Sequence, residues 1–206
     1  NEGVDATHSP EFTMLEVYQA WGDQSTIAEV MRSVILGVAD ALGSRQIETS
    51  AGVVDLDGPW RWLPVYDAVS EVVGERVTID TPVERLLEYA AAHGVVIEPG
   101  LEKDKVFLEL LSELVEPHLL QPTFLCDYPA IAQPLARPHR SRSGHIEAWD
   151  LIIAGVERGT GFTELVDPVI QRAVLTDQSL RAAGGDPEAM ALDEDFLRAL
   201  EYGAPP

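Results

Sequence analysis

Apolar residues at helical spacing predict several amphipathic helices along the chain. The first covers residues 27–42, with a capping box expected at Thr26 and Glu29 and with Gly43 as its end. Similar apolar stripes predict further helices at 64–73, 82–93, 103–119, 168–183 and 193–202. Asp193 is expected to cap the last of them.

Short apolar or alternating runs predict strands between these helices. They lie at 11–18, 122–126, 146–157 and 159–165, and Asp57-Gly58 is a hairpin signal within the turn-rich stretch 47–63. In the first strand, Phe12, Met14, Glu16 and Tyr18 would share one face. Strand blocks separated by helices indicate an α+β domain around an antiparallel sheet, with residues 64–119 as a small helical insertion.

Composition restricts the classes of protein that fit this pattern. The chain has 206 residues, no apolar run long enough to cross a bilayer and no secretory signal. It does not begin with Met, so we expect that it does not start where its gene starts. The single cysteine, Cys126, excludes an intrachain disulfide. A net charge of −21 gives no indication of nucleic-acid binding and suits a cationic substrate, although a solvated acidic surface is the commoner explanation.

Carboxylates on apolar strands are the main chemical signal. Each is costly unless a cation pairs with it, although any one of them could sit at a strand end in water. The run Gly159-Thr160-Gly161-Phe162-Thr163-Glu164 adds more, because its two glycines would let a ligand approach the backbone and would leave Phe162 and Glu164 on one face. An aromatic ring beside a carboxylate suits a lysine side chain, with its methylenes on the ring and its ammonium on the acid.

These residues lie in motifs that resemble a known family. The N-terminal stretch Asn1-Glu2-Gly3 with His8-Ser9-Pro10-Glu11-Phe12-Thr13-Met14-Leu15-Glu16-Val17-Tyr18 resembles motif 2 of class II lysyl-tRNA synthetases. The resemblance continues through Gln121-Pro122-Thr123-Phe124, Asp127-Tyr128-Pro129 and Pro134-Leu135-Ala136-Arg137, and from Gly155 to Asp167. It covers the whole chain, most weakly at about 44–118, and residues 182–190 look most like the actinobacterial forms. Those forms include a synthetase module fused to a lysylphosphatidylglycerol transferase.

The resemblance implies a lysine site. Glu164 and Tyr18 would hold the ε-ammonium, with Glu16 nearby and Phe162 against the aliphatic stem. Thr160 stands where most of the family has an Asn that contacts the substrate carboxylate, and a Thr hydroxyl can still donate a hydrogen bond there.

An ATP site is implied as well. Glu2 would contact the adenine amino group, Phe12 would stack on the ring, and His8 would reach the terminal phosphates. Ser9, which replaces a commoner Asn, and Met14 belong to the same implied site.

The resemblance further implies Mg²⁺ at Asp150 and Glu157, where Asp150 replaces a Glu that reaches one methylene further. The implied reaction is activation of lysine with ATP to lysyl-adenylate, followed by transfer to tRNA(Lys). The implied protein is a cytoplasmic homodimer, or is membrane-associated if it is the fused bifunctional form.

The resemblance places the whole chain in one incomplete catalytic domain. Motif 1, motif 3, the motif 2 arginine and the anticodon-binding barrel fall outside the chain, so we expect this polypeptide alone to be inactive or nearly so. Two alternatives stay open: a paralogue that attaches lysine to a protein, and a non-catalytic module built on a decayed synthetase.

Overall fold

The computed structural model describes residues 9–185 and 189–205. The helices within these ranges are α1 (Gln24–Leu42), α2 (Val65–Val73), α3 (Val83–His93), α4 (Lys103–Leu114), α5 (Pro168–Ala183) and α6 (Glu194–Glu201). The strands are β1 (Gln46–Thr49), β2 (Gly52–Asp55), β3 (Arg61–Pro64), β4 (Thr123–Cys126), β5 (Ala148–Ile153) and β6 (Val156–Phe162). Two 3-10 turns lie at Glu116–His118 and Ala130–Ala132. In this part of the chain, no helix is both long and apolar enough to cross a membrane.

A four-stranded sheet in the order β3-β4-β5-β6 forms the centre of the fold. Strands β4, β5 and β6 are antiparallel neighbours, whereas β3 runs parallel to β4. The expected α+β class is confirmed, with one correction: the sheet is mixed rather than wholly antiparallel. Parallel neighbours need a long crossover connection, and helices α2, α3 and α4 supply it between β3 and β4.

The two faces of the sheet have separate cores. The crossover helices pack against one face through a core that joins Val65, Phe107 and Leu110 to Leu125 and Ile152. Helix α1 and the β1–β2 hairpin pack on the opposite face through a second core of buried residues: Ala28, Ala39, Val54, Leu56, Phe124, Cys126, Trp149, Leu151 and Ile153. The predicted helical section 64–119 is therefore packed against the sheet.

Helix α1 starts earlier than its apolar stripe predicts. Its N-cap is Asp23, whose side chain accepts hydrogen bonds from the Ser25 and Thr26 backbone N–H groups, while the Thr26 hydroxyl accepts one from the Asp23 N–H. The capping box expected at Thr26 and Glu29 is thus wrong by one turn. The end at Gly43 is confirmed, since this residue has a left-handed φ of 84°.

Residues 11–18 do not form the expected strand. No strand of the described chain pairs with them, and the segment is exposed, with Tyr18 81% and Met14 63% accessible. A strand needs a neighbour that takes its backbone hydrogen bonds. Since the described residues provide none here, the local alternation of side chains is not enough to form a strand.

The remaining element boundaries confirm some of the predictions and contradict others. Helix α5 and the Asp193 cap of α6 are confirmed. The β1–β2 hairpin turns between Thr49 and Gly52, so Asp57-Gly58 lies after the hairpin and does not form its turn. Strand β5 ends at Ile153, so Glu157 belongs to β6 and not to the strand before it.

The two glycines of β6 face bulky side chains and not a ligand. A Cβ atom on Gly161 would lie 2.3 Å from the Trp149 ring, and one on Gly159 would lie 2.3 Å from the Met31 methyl carbon. Both glycines therefore point toward α1 and the second core. The expectation that they open the backbone to a ligand is wrong, because helix packing already fills the space.

Gly161→Ala is expected to lower the free energy of unfolding by about 1–3 kcal/mol, because the added methyl group overlaps the Trp149 ring. Gly37→Ala is the matched control: Gly37 lies in α1 with open space around it, so the same change should raise stability by up to about 1 kcal/mol. Urea denaturation of both variants measures the difference. Equal effects of the two substitutions would contradict this packing argument.

Candidate functional site

The pairing of β5 with β6 places the predicted site residues of these two strands on one face of the sheet. Asp150 pairs with Thr160, Ile152 with Glu157, and Ala148 with Phe162, and directly paired residues point to the same side. Asp150, Glu157, Thr160 and Phe162 therefore share the face opposite α1. Glu164 lies two residues beyond Phe162 and bridges to Ala136.

A bulge between the pairs is what brings Glu157 onto this face. The register shifts between Leu151 and Ile152, which pair with Gly159 and Glu157 respectively. Arg158 is the extra residue. In a regular strand, Glu157 and Thr160 would fall on opposite faces, because they are three positions apart and strand side chains alternate. The bulge thus re-aims one predicted Mg²⁺ ligand toward the other.

The carboxyl groups of this face lie in surroundings that disfavour their charge. Burial raises the pKa of Asp150, and the hydroxyl groups of Tyr128 and Thr160 oppose part of the rise. Burial also raises the pKa of Glu116, and the negative charge of Asp150 adds to that effect. At Glu164, burial alone raises the pKa of the carboxyl group. Such a set of partly buried acids is typical of a functional site that binds a cation.

The residues present fit a Mg²⁺ ion that is coordinated partly by the protein and partly by a substrate. Asp150 and Glu157 supply carboxylate oxygens on one face, and Mg²⁺ prefers oxygen ligands. Within residues 9–185 and 189–205, no three acidic, histidine or cysteine side chains converge to hold a metal. Mg²⁺ keeps waters and takes phosphate oxygens, so one or two carboxylates are sufficient for it.

The predicted site residues of the N-terminal segment are not in contact with those of β5 and β6 in the described chain. Phe12, Met14, Glu16 and Tyr18 are exposed, and no hydrogen bond, ion pair or ring contact joins them to Thr160, Phe162 or Glu164 in the described chain. The Ser9 hydroxyl donates to the Glu11 carbonyl oxygen at 3.0 Å. Glu2 and His8 lie outside the described residues. The structure thus assembles the β5–β6 half of the site, and the 11–18 half is not packed against it.

Sequence reasoning missed an ion pair between a buried carboxylate and an exposed arginine on the α1 side of the sheet. Glu147, which is 4% exposed and directly precedes β5, pairs with Arg140 at 2.8 Å. Arg140 also reaches Asp23, the cap of α1, at 3.2 Å. In the sequence, Glu147 lies in the apolar run His145-Ile146-Glu147-Ala148-Trp149 and closely follows Arg140 and Arg142 in the basic loop 138–144, which could have suggested this pair.

The loop that carries Arg140 is held to the fold at a second point. Arg142 pairs with Asp127, which is 7% exposed, and His139 Nε2 lies 3.4 Å from the same carboxylate. His139 Nδ1 accepts the backbone N–H groups of Ser141 and Arg142, both at 3.1 Å. The order Asp127, His139, Ser141 therefore does not make a nucleophile triad, because the imidazole nitrogen beside the serine is already used as a turn acceptor.

Comparison with known proteins shows the family to which the chain belongs. A family model described as "tRNA synthetases class II (D, K and N)" matches residues 1–206. The chain belongs to this family. It is 50% identical to a lysine–tRNA ligase of Mycolicibacterium gilvum over 210 residues, which cover 100% of the chain and 42% of that relative. It is also 47% identical to the lysylphosphatidylglycerol biosynthesis bifunctional protein LysX of Mycobacterium marinum, across 100% of the chain and 19% of that protein.

A third relative gives the same picture. The lysine–tRNA ligase 1 of Mycobacterium tuberculosis strain H37Rv is 46% identical over 214 residues, again across 100% of the chain and 42% of the relative. The chain thus spans less than half the length of the curated ligases that it matches. The resemblance to a class II synthetase is confirmed along the whole chain, and the expected fold class agrees with it.

Asp150→Asn should stabilise the fold at neutral pH. Because the pKa of Asp150 is raised in the folded state, its ionised form costs stability once the pH exceeds the ordinary carboxyl value of about 3.9. Below that value both states are protonated and the cost vanishes. Chemical denaturation at about pH 7 and about pH 3 should therefore show a gain for the variant that is larger at neutral pH.

Asp40→Asn serves as the control of opposite sign. The hydrogen bond from Arg45 lowers the pKa of Asp40, so its ionised form supports the fold at neutral pH, and that support is lost as the pH falls through the lowered value. This variant should lose stability at about pH 7 and approach the parent at about pH 3. The same pH trend in both variants would rule out burial as the cause at Asp150.

Proposed function

We propose that the protein carrying this chain activates lysine with ATP and transfers the lysyl group to tRNA(Lys). The observation that carries the proposal is the convergence of Asp150, Thr160, Phe162 and Glu164 on one sheet face in a chain of the class II family. The names of the ligases to which the chain is 46–50% identical support lysine as the amino acid.

The lysine site rests on an aromatic side chain and a half-buried acid. Burial raises the pKa of Glu164, so a bound ammonium would restore the charged form of the carboxylate. Phe162, two residues earlier on the same side, offers a ring for the methylenes of the substrate. In our proposal Tyr18 and Glu16 complete the ammonium site, and Thr160 contacts the substrate carboxylate.

The ATP and Mg²⁺ assignments follow from the family and from the chemistry of the residues. Phe12 would stack on adenine, with Glu2, His8, Ser9 and Met14 as the other ATP-binding residues. Asp150 and Glu157 would hold Mg²⁺, which would neutralise phosphate charge.

The chemical step needs position and charge neutralisation more than an acid–base pair. A carboxylate oxygen of lysine attacks the α-phosphorus of ATP, the bond to the bridging oxygen breaks, and pyrophosphate leaves. The 3′-terminal ribose hydroxyl of tRNA then attacks the acyl carbon, and AMP leaves. The residues of this chain hold lysine, orient its carboxylate and place acidic oxygens beside the phosphates.

Partners and location are part of the same proposal. A net charge of −21 means that surfaces outside this chain would make most of the tRNA contacts. We expect a homodimer in the cytoplasm. Because the chain is also 47% identical to a bifunctional lysylphosphatidylglycerol protein, a membrane-associated fused form is the second candidate. The length and N-terminal composition of the gene product distinguish the two.

Glu164→Gln in the full-length protein is expected to weaken lysine binding by roughly 30-fold or more, because loss of a desolvated charge partner costs about 2 kcal/mol or more. Isothermal titration with lysine, ornithine and arginine measures the binding, and lysine-dependent ATP–pyrophosphate exchange measures the activity. Glu109→Gln, on the exposed side of α4, is the matched control and should change neither. Unaltered lysine affinity in Glu164→Gln would refute the assigned ammonium site.

A further inference from the structure

Thr163 is a buried polar residue that none of the assigned roles uses. It is 2% exposed and lies between Phe162 and Glu164, the two β5–β6 residues assigned to the lysine side chain. Its neighbours face the substrate side of the sheet, whereas its own side chain points to α1. There the Thr163 hydroxyl oxygen accepts the backbone N–H of Gln24 at 2.9 Å.

Gln24 is the first residue of α1, and it is fixed to the sheet twice. Besides the bond to Thr163, its carbonyl oxygen accepts the Trp149 Nε1–H at 2.7 Å. Both bonds span more than 120 positions of sequence. They join the start of α1 to Trp149, near the beginning of β5, and to Thr163, directly after β6. The N-terminal end of the helix therefore cannot shift along the sheet without breaking both.

The backbone of Thr163 is held as firmly as its side chain. Its N–H donates to the Glu147 carbonyl oxygen at 2.9 Å, and its own carbonyl oxygen accepts the Arg137 N–H at 2.8 Å. The ion pair between the buried Glu147 carboxylate and Arg140 supports the first of these partners. Thr163 thus fixes the backbone between Phe162 and Glu164 from three directions, and this sets where the two side chains point on the other face.

We propose that Thr163 is a positioning residue for the lysine site, which it serves by hydrogen-bonding the start of α1 to the segment that carries Phe162, at the end of β6, and Glu164, just after it. This inference rests on the proposed function.

A positioning role makes a kinetic prediction that a purely structural role does not. Loss of the hydroxyl should displace Glu164 and Phe162 relative to lysine but leave the ATP contacts of other segments in place. The KM for lysine should therefore rise while the KM for ATP stays nearly unchanged. A residue that only stabilised the fold would lower the fraction of folded enzyme and would leave both KM values as they are.

The test compares Thr163→Val with Thr163→Ser and with Thr123→Val in the full-length protein. Valine keeps the shape of threonine and loses the acceptor, whereas serine keeps the acceptor. Thr123 is the matched control, because it is 4% exposed and its hydroxyl donates to the Gln121 carbonyl oxygen. It lies on β4 and pairs with Ile152, near the end of β5, whereas Phe162 pairs with Ala148 at the start of that strand. ATP–pyrophosphate exchange gives both KM values, and thermal unfolding is recorded in parallel.

The expected result is a rise of about five- to tenfold in the KM for lysine with Thr163→Val, in line with the loss of one buried hydrogen bond. Serine should restore most of the difference, and Thr123→Val should leave both KM values unchanged. If Thr163→Val does not fold, Thr163→Ala is measured in its place, with the same expectation. An unchanged KM for lysine in an active, folded valine or alanine variant would overturn the positioning role alone. Absence of lysine-dependent exchange in the parent protein would instead refute the proposed function and the inference with it.

Discussion

The docking of α1 against the β3–β6 sheet is the interaction on which the rest of the structure depends. Trp149 lies over Gly161, packs with the second core and donates its indole N–H to the first residue of the helix. A side chain of that size on one face needs a glycine opposite it in the next strand. Because α1 occupies this face, the functional side chains of β5 and β6 are directed to the other face.

The sheet face opposite α1, which carries the site residues, has a free-energy cost that the rest of the fold offsets. Burial raises the pKa of Asp150, Glu116 and Glu164, which means that each ionised carboxylate is disfavoured where it stands. An apolar residue would pack there at lower cost. Retention of acids in such places is expected where binding of a cation repays the desolvation, as an ammonium group or a Mg²⁺ ion would do. The position of these acids beside Thr160 and Phe162 makes the β5–β6 face the candidate site of the chain.

Much of the fold could be predicted from local patterns. The apolar stripes gave the positions of α1 to α6, and the caps at Gly43 and Asp193 follow from the backbone preferences of these residue types. Motif resemblance named Asp150, Glu157, Thr160, Phe162 and Glu164 together. The alternation of residues 11–18 failed as a predictor because a strand depends on a neighbour, which a local pattern does not contain.

The amino-acid sequence by itself determined the positions of the helices, the caps at Gly43 and Asp193 and the residue types of the candidate site, since the helices and caps depend on contacts within a few positions. Only the tertiary structure decided which way those residues point. The bulge at Arg158 turns Glu157 toward Asp150, and Trp149 and Met31 occupy the space beside the two glycines. Thr163 meets Gln24 across 139 positions. These features arise from pairing register and from packing between distant segments, and neither is written in the local spacing of side chains.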